Sequence, residues 1–192
     1  IAFTDNEPGW AAGATRAGVN YLPIVPSEAN IRRVRRGVMA ARRAGADLVV
    51  CSLHWGPNMR ERPTPVFQRF AHAALDAGVD VIHGHSAHIF QGIEVYGGKP
   101  ILYDCGDFVD DYAVDPVLRN DRSFLFVLTA DRDGVRQIDL HPVLIDRFQV
   151  NLSQGQDRRE TVERMELLCT EMGTLIERVG GRLRVAIRRL SS

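Results

Sequence analysis

The chain has 192 residues, with 24 basic and 24 acidic side chains and therefore no formal net charge. A neutral chain carries no overall field that would attract nucleic acid, and no run of about 18 apolar residues could cross a bilayer. The three cysteines, Cys51, Cys105 and Cys169, are far apart and odd in number, which argues against a disulfide framework. These properties predict a globular protein with no nucleic-acid partner and no membrane span in this segment.

The first part of the chain predicts a short strand followed by irregular structure. Residues 1–4 are largely apolar, residues 5–10 are rich in turn formers, and residues 11–26 are rich in glycine, alanine and proline. The chain begins without Met and without a signal-peptide pattern, so we expect the true N-terminus to lie upstream. A cytoplasmic and a cell-envelope location therefore both stay open.

A first helix is predicted to begin after Ser27, a good N-cap residue, and to end at Gly45. Apolar residues recur at helical spacing between them, and much of the remaining surface is arginine. The ordinary interpretation of such a run is a solvated helix face, and the alternative is a docking surface for an anionic polymer. The arginines concerned are Arg32, Arg33, Arg35, Arg36, Arg42 and Arg43.

Residues 47–53 form a near-continuous apolar run, typical of a parallel strand that is buried on both faces. A helical pattern over residues 66–75, ended by Gly78, and a second apolar strand over residues 79–82 follow it. Strand, helix and strand make a βαβ unit, in which both strands run the same way. Because their carboxyl ends share one edge of the sheet, we expect His54 to meet the histidines that follow the second strand.

The remainder of the chain predicts an antiparallel portion and a terminal helix. Paired glycines are typical of a hairpin turn, and an amphipathic pattern that stops at two further glycines is typical of a long helix. The predicted elements are a hairpin of residues 93–96 and 100–103, strands at 123–129 and 135–140, a helix over 162–179 and a strand over 183–187.

Three of the six histidines fall within six residues, and two of them are candidate metal ligands together with His54. Imidazole is the commonest neutral metal ligand in proteins. Gly84 should let the backbone bend sharply, so that His85 and His88 converge on the imidazole of His54. The alternative is that these are ordinary polar loop residues. His83 lies within the strand and is not expected to take part.

Two carboxylates and two loop residues are further candidates near this edge of the sheet. Asp104 and Asp107 flank a glycine after a strand end, where they could orient the imidazoles or simply form a turn. Trp55 and Asn58 follow His54 and are candidates for substrate contact, although a tryptophan at such a place more often packs in the core.

Four short motifs follow one another along the chain: His54-Trp55-Gly56, Gly84-His85-x-x-His88, Gln91 and Tyr103-x-x-Gly106-x-Phe108. This ordered set resembles the CapA family, which is named for capsule and poly-γ-glutamate synthesis and belongs to the calcineurin-like metallophosphoesterase superfamily. The match covers roughly residues 1–150, and Gln91 becomes a candidate near the substrate. One motif departs from the family, because Gly-Asp-Phe stands where Gly-Asn-Phe is usual.

The resemblance implies an α/β fold, a four-layer α/β/β/α sandwich formed by one domain over residues 1–192, with its terminal helix and strand in residues 157–190. It carries over His54, His85 and His88 as ligands of two divalent ions (Mn, Fe, Zn or Mg). The family's other ligands and any general acid precede the segment that matches here, so we expect this chain to be the C-terminal part of a longer protein. The implied function is a metal-dependent hydrolase acting on a phosphoester or a polyanionic polymer. The alternative is a non-catalytic accessory that binds such a polymer.

Overall fold

The computed structural model describes residues 1–110 and 112–187. Three α-helices and ten strands occur in this part of the chain, together with a 3₁₀ turn at Pro8–Trp10. The helices are α1 (Glu28–Arg43), α2 (Pro65–Asp76) and α3 (Gly155–Glu171). The strands are β1 (Ala2–Thr4), β2 (Val50–His54), β3 (Val81–His85), β4 (Ile93–Tyr96), β5 (Lys99–Leu102), β6 (Arg122–Asp131), β7 (Gly134–Asp146), β8 (Gln149–Leu152), β9 (Glu177–Val179) and β10 (Arg182–Ala186).

The first sheet is mixed and has the strand order β1-β2-β3-β5-β4. Strands β1, β2, β3 and β5 are parallel, and β4 returns antiparallel to β5 as the second arm of a hairpin. The βαβ unit predicted from the apolar runs is therefore confirmed, as is the glycine-turned hairpin. Parallel strands end at the same edge, so the residues after β1, β2 and β3 are brought together there.

Helices α1 and α2 cover one face of this sheet and form its main core. Each begins at a capping hydroxyl, since Ser27 accepts the N–H of Asn30 and Thr64 accepts the N–H of Phe67. Cys51 and Leu53 of β2 point into this core. By the alternation of a strand, Ser52 and His54 point to the opposite face.

The second sheet is antiparallel, with the order β6-β7-β10-β9 and with β8 paired to β7. Its apolar side chains, among them Phe124, Ile138 and Leu140, form one core with Val81 and Leu102 of the first sheet. Helix α3 contributes to the same core. The described residues thus form an α/β structure in which a mixed sheet is flanked by helices and joined to an antiparallel sheet. None of the three described helices is long and apolar enough to cross a membrane.

The prediction for the C-terminal region was wrong in two respects. Helix α3 begins at Gly155 and ends at Glu171, seven residues earlier than the predicted start at Val162 and eight before the predicted end. The helix stops because Gly173 takes a left-handed φ of 71°, which leaves Leu175 82% exposed. Gly180 and Gly181 instead turn the hairpin between β9 and β10. The predicted final strand is β10, while residues 188–192 of the predicted domain lie outside the described part.

Candidate functional site

Four polar side chains lie in a row on the face of the first sheet that the helices leave free. The parallel register pairs Ser52 with His83 and His54 with His85. Residues two apart on a strand share a face, so all four side chains project to the same side. The sequence prediction that His54 meets His85 at this edge agrees with the structure. His83, which was given no role from the sequence, lies on the same face, and its ring centroid is 5.4 Å from that of His85.

The imidazoles of His54 and His85 face each other through their Nδ1 atoms, which are 3.2 Å apart. Two nitrogens held at 2.0–2.1 Å from one tetrahedral ion are about 3.4 Å apart, so this separation fits a shared metal ion. The two rings are tilted by 63° to each other rather than stacked. The pair therefore has the spacing and the donor type of two ligands in one coordination shell.

The surroundings of His83 and His85 favour the neutral form of both imidazoles. Burial, followed by the neighbouring His83 and His54, lowers the pKa of His85 to about 4. Burial also lowers the pKa of His83. A neutral imidazole keeps a lone pair on one nitrogen, so His83 and His85 each have one nitrogen that can accept a hydrogen bond or coordinate a cation.

His88 lies in a different setting from the other two predicted ligands. Its Nδ1 atom is 2.8 Å from Oδ1 of Asp107, and its ring packs edge-on against Tyr112 at 4.9 Å. Among residues 1–110 and 112–187, no three His, Cys, Asp or Glu side chains are grouped so as to hold a metal ion. The structure thus brings His54 and His85 together but does not gather His88 with them into one ligand group.

Asp107 is placed as an orienting carboxylate for His88, since it fixes one ring nitrogen and leaves Nε2 for other partners. Burial, and then a hydrogen bond with the Asp110 carboxyl, raises the pKa of Asp107 to about 7, while His88 acts in the opposite direction. The Oδ2 atoms of both aspartates are buried, and no donor from elsewhere in the described chain reaches them.

Asp104 holds the turn that carries His88. Its Oδ2 accepts the Ala87 N–H at 2.8 Å, and its Oδ1 accepts the Gly106 N–H at 2.9 Å. Burial raises the pKa of Asp104 to about 6 against the effect of these two bonds. This turn contains Ser86 at φ 131° and His88 at φ 64°, both rare for residues with a side chain. Asp104 therefore shapes the turn from beneath and does not reach a ligand position.

Of the remaining predicted residues, Trp55 and Gln91 are buried and support the site, whereas Asn58 is exposed. The indole of Trp55 is buried, stacks on Tyr103 and donates to its carbonyl oxygen at 2.8 Å, so it packs rather than faces a substrate. Gln91 is also buried and donates to the Arg60 carbonyl at 2.7 Å, which holds the loop after β2. Asn58 is exposed in that same loop.

Sequence reasoning also missed Asp5, which follows β1 at the same edge of the sheet. Its Oδ1 accepts the Gly56 N–H at 3.0 Å, and burial raises the pKa of Asp5 against the opposing effects of its backbone hydrogen bonds and of His54. The next residue, Asn6, donates to the Ser86 hydroxyl at 3.0 Å. The parallel pairing of Thr4 with His54 is the signal that would have found them, because it places the residues after β1 beside the site.

An open groove of about 470 Å³ adjoins the imidazole row between the two sheets. Its lining includes His83 and His85 at one end and is otherwise mostly apolar, with Leu102, Phe124 and Phe126 among the contributors. The row therefore borders a space large enough for a small-molecule or polymer segment.

Comparison with known proteins agrees with the motifs. Residues 1–112 match the family described as "Bacterial capsule synthesis protein PGA_cap". A "probable polyglutamine synthesis accessory protein" of Mycobacterium tuberculosis is 36% identical over 165 residues, which are 81% of this chain and 43% of the relative. The PGA biosynthesis protein CapA of Bacillus subtilis is 36% identical over 112 residues, 58% of this chain and 27% of the relative.

The capsule biosynthesis protein CapA of Bacillus anthracis is 41% identical over 70 residues, covering 36% of this chain and 17% of the relative. The chain thus spans well under half the length of the curated relatives that it matches. The family match covers more than half of the chain and includes His54, His85 and His88. The chain belongs to the PGA_cap family of bacterial capsule synthesis proteins, the CapA family that its motifs resemble.

Proposed function

We propose that the whole protein is a metal-dependent hydrolase of the metallophosphoesterase type that acts in capsule or poly-γ-glutamate metabolism. The observation that supports this most directly is the His54–His85 pair, whose Nδ1 atoms lie 3.2 Å apart at the carboxyl ends of adjacent parallel strands. In this proposal the whole protein completes a four-layer α/β/β/α sandwich, to which the described residues contribute the mixed sheet, its helices and the antiparallel sheet.

The chain's own residues would divide the work around two divalent ions, Mn, Fe, Zn or Mg. His54 and His85 would offer Nδ1, and His88 would offer Nε2 while Asp107 holds its Nδ1. Ions of this class supply Lewis-acid polarisation of the scissile group and activation of water when bound. The remaining ligands and the general acid would come from other parts of the whole protein.

The substrate class follows from the neighbouring groove and from the relatives. The groove beside His83 and His85 is open to solvent and, at about 470 Å³, can hold a small molecule or a segment of a polymer. Relatives are named for synthesis of a capsule or of PGA. We therefore propose a phosphoester, or an amide or ester bond of a polyanionic polymer, as the bond that is cleaved.

The test is hydrolysis of aryl phosphates and of poly-γ-glutamate by the whole protein with Mn or Fe, combined with metal analysis. The double variant His85→Ala/His88→Ala should lose both bound metal and activity. His141→Ala, which removes an imidazole from the antiparallel sheet, is the matched control and should retain both. Equal rates and equal metal content in all three proteins would refute the hydrolase.

A second candidate, a non-catalytic accessory that binds polyanion, is favoured by the arginines of α1. Arg35, Arg36 and Arg43 are exposed and form no ion pair within the described residues. Arg32 and Arg42 are instead engaged by Glu28 and Asp80. Arg36 and Arg43 lie two turns apart on one side of the helix. Exposed cations placed in this way attract a chain of carboxylates, and salt screens this attraction.

Binding of poly-γ-glutamate at low and at physiological salt tests this candidate. Arg36→Ala/Arg43→Ala should weaken binding several-fold at low salt, whereas Arg147→Ala, at an arginine whose side chain is 89% exposed on another surface, should not. Binding that is insensitive both to salt and to the α1 variants would eliminate this role for the helix.

A further inference from the structure

A serine hydroxyl lies between two imidazoles of the row and contacts both. The Oγ atom of Ser52 is 3.2 Å from Nδ1 of His83 and 3.2 Å from Nε2 of His85. Ser52 and His83 are register partners on adjacent strands, and both are half-buried. The backbone pairing therefore fixes this contact, which does not depend on a mobile loop.

Because Ser52 has a single proton to donate, the tautomers of His83 and His85 depend on each other. A neutral imidazole has one N–H and one bare nitrogen, and a serine hydroxyl has a single proton to donate. If His85 carries its proton on Nε2, it donates to Ser52, and Ser52 can donate to the bare Nδ1 of His83. If the order is reversed, His83 donates to Ser52, Ser52 donates to Nε2 of His85, and the proton of His85 sits on Nδ1.

Only the first arrangement, with the His85 proton on Nε2, leaves the Nδ1 atom that faces His54 without a proton. The reverse order places a proton in the 3.2 Å gap between the two Nδ1 atoms, where the ion would have to lie. Imidazoles that bind metals commonly donate their other N–H to an oxygen. Ser52 provides that oxygen for His85, just as Asp107 provides it for His88.

We propose that Ser52 and His83 are positioning residues, which hold His85 in the tautomer that has its proton on Nε2 and its Nδ1 free as a ligand. Ser52 accepts from His85 and donates to His83, and His83 serves as the acceptor that orients the hydroxyl. The role as a ligand rests on the proposed metal-binding function, whereas the tautomer itself is a property of the metal-free protein.

Histidine tautomers can be measured directly in the whole protein, labelled with ¹⁵N-histidine and freed of metal, from two-bond ¹⁵N–¹H correlations at pH 7. In the wild type, both His85 and His83 should carry their proton on Nε2. Ser52→Ala should give a mixture of His85 tautomers, and Ser52→Thr, which keeps the hydroxyl, should restore the single form. His83→Phe, which removes the acceptor of the hydroxyl, should also give a mixture.

Ser153→Ala is the matched control, because that hydroxyl has no hydrogen-bond partner in the described chain. Wild-type spectra with the His85 proton on Nδ1 would overturn the proposal, and so would an unchanged tautomer in Ser52→Ala. An unchanged tautomer in His83→Phe would overturn the part assigned to His83.

Zinc affinity of the same proteins provides the second measurement and separates this inference from the proposed function. Ser52→Ala should weaken zinc binding roughly ten- to a hundredfold, the usual effect of losing such a partner, and Ser52→Thr should stay close to the wild type. A wild type that has the expected tautomers but binds neither zinc, manganese nor iron would refute the metal-dependent hydrolase and still support the positioning of His85. Zinc affinity that is equal in the wild type and Ser52→Ala would overturn the importance of Ser52 for the ligand.

Discussion

Gly84 lies between the two histidines of β3 and is packed so closely by its neighbours that a side chain does not fit there. A Cβ atom at this position would lie 2.0 Å from the Tyr103 carbonyl oxygen and 2.6 Å from Nε1 of Trp55. Carbon atoms in contact prefer separations of roughly 3.5–4.0 Å, so strand β3 would have to move by more than 1 Å from one or both neighbours. Neither neighbour can yield easily, because the two are joined by the Trp55–Tyr103 hydrogen bond and both are buried.

The cost of Gly84→Ala can be built from two contributions. Overpacking a filled core costs about 1–3 kcal/mol. Separation of the indole N–H from the Tyr103 carbonyl leaves buried polar groups without a partner, which costs about 1–3 kcal/mol more. We therefore expect Gly84→Ala to lower the free energy of unfolding by roughly 2–6 kcal/mol, a large share of the about 5–15 kcal/mol that stabilises a typical domain.

Urea unfolding, followed by tryptophan fluorescence and by far-ultraviolet circular dichroism, measures this change in the purified protein. Gly13→Ala is the control, because an added Cβ there meets nothing within 4 Å and its φ is not left-handed. The control should stay within about 0.5 kcal/mol of the wild type, as surface substitutions do. Equal midpoints for Gly84→Ala and Gly13→Ala would refute the close approach of β3 to Tyr103 and Trp55.

Three further predictions concern the surroundings of the site. Asp107→Asn should weaken zinc binding of the whole protein by roughly ten- to a hundredfold, because His88 loses the carboxylate that orients it; equal affinities by calorimetry would contradict this. Burial raises the pKa of Asp104 to about 6, so its stabilising contribution is present at low pH and is lost as pH rises from about 4 to 6. The unfolding free energy of the metal-free wild type relative to Asp104→Asn should therefore fall by roughly 3 kcal/mol between pH 4 and pH 7, and a constant difference across that range would contradict it. Thr64→Ala should destabilise α2 by about 1 kcal/mol, measurable by urea unfolding, because the Phe67 N–H loses its cap; an unchanged midpoint would show that water replaces the hydroxyl.

The parts of the site that could be predicted from sequence are those set by strand direction. The apolar runs before His54 and before His85 identify two parallel strands, and parallel strands must end at one edge. The meeting of these two imidazoles follows from that rule with no knowledge of the loops. The same rule, applied to the strand predicted at residues 1–4, would have placed Asp5 there as well, but the sequence does not show that this strand pairs with β2.

The parts that could not be predicted depend on packing between distant segments. Gly84 was expected to permit a sharp bend, but it lies within β3 without a left-handed φ. Its lack of a side chain matters because Tyr103 and Trp55 pack against it. His83 was not expected to take part, because it lies within the strand and not after its end. The alternation along β3 places its ring on the face of His85, beside Ser52.

The backbone of the turn at residues 86–88 is strained in a way that a simple connection between strands does not require. Ser86 and His88 both adopt left-handed φ values without being glycine, each at a cost on the order of 1–3 kcal/mol. A connection from β3 to the following hairpin does not need such residues there, because glycines would form it without strain. The conformation persists because three separate segments hold it. Asn6 donates to the Ser86 hydroxyl, the Met59 N–H donates to the Ala87 carbonyl, and Asp104 accepts the Ala87 N–H.

Strain that several segments maintain together is typical of a functional site. Here it determines where the His88 ring points, which is toward Asp107. The strain also lies directly after β3, so this strand and the turn that follows it carry His83, His85 and His88. If Ser86→Gly relaxed the turn and stabilised the protein while reducing its affinity for zinc, the conformation would be shown to serve the site at the expense of the fold.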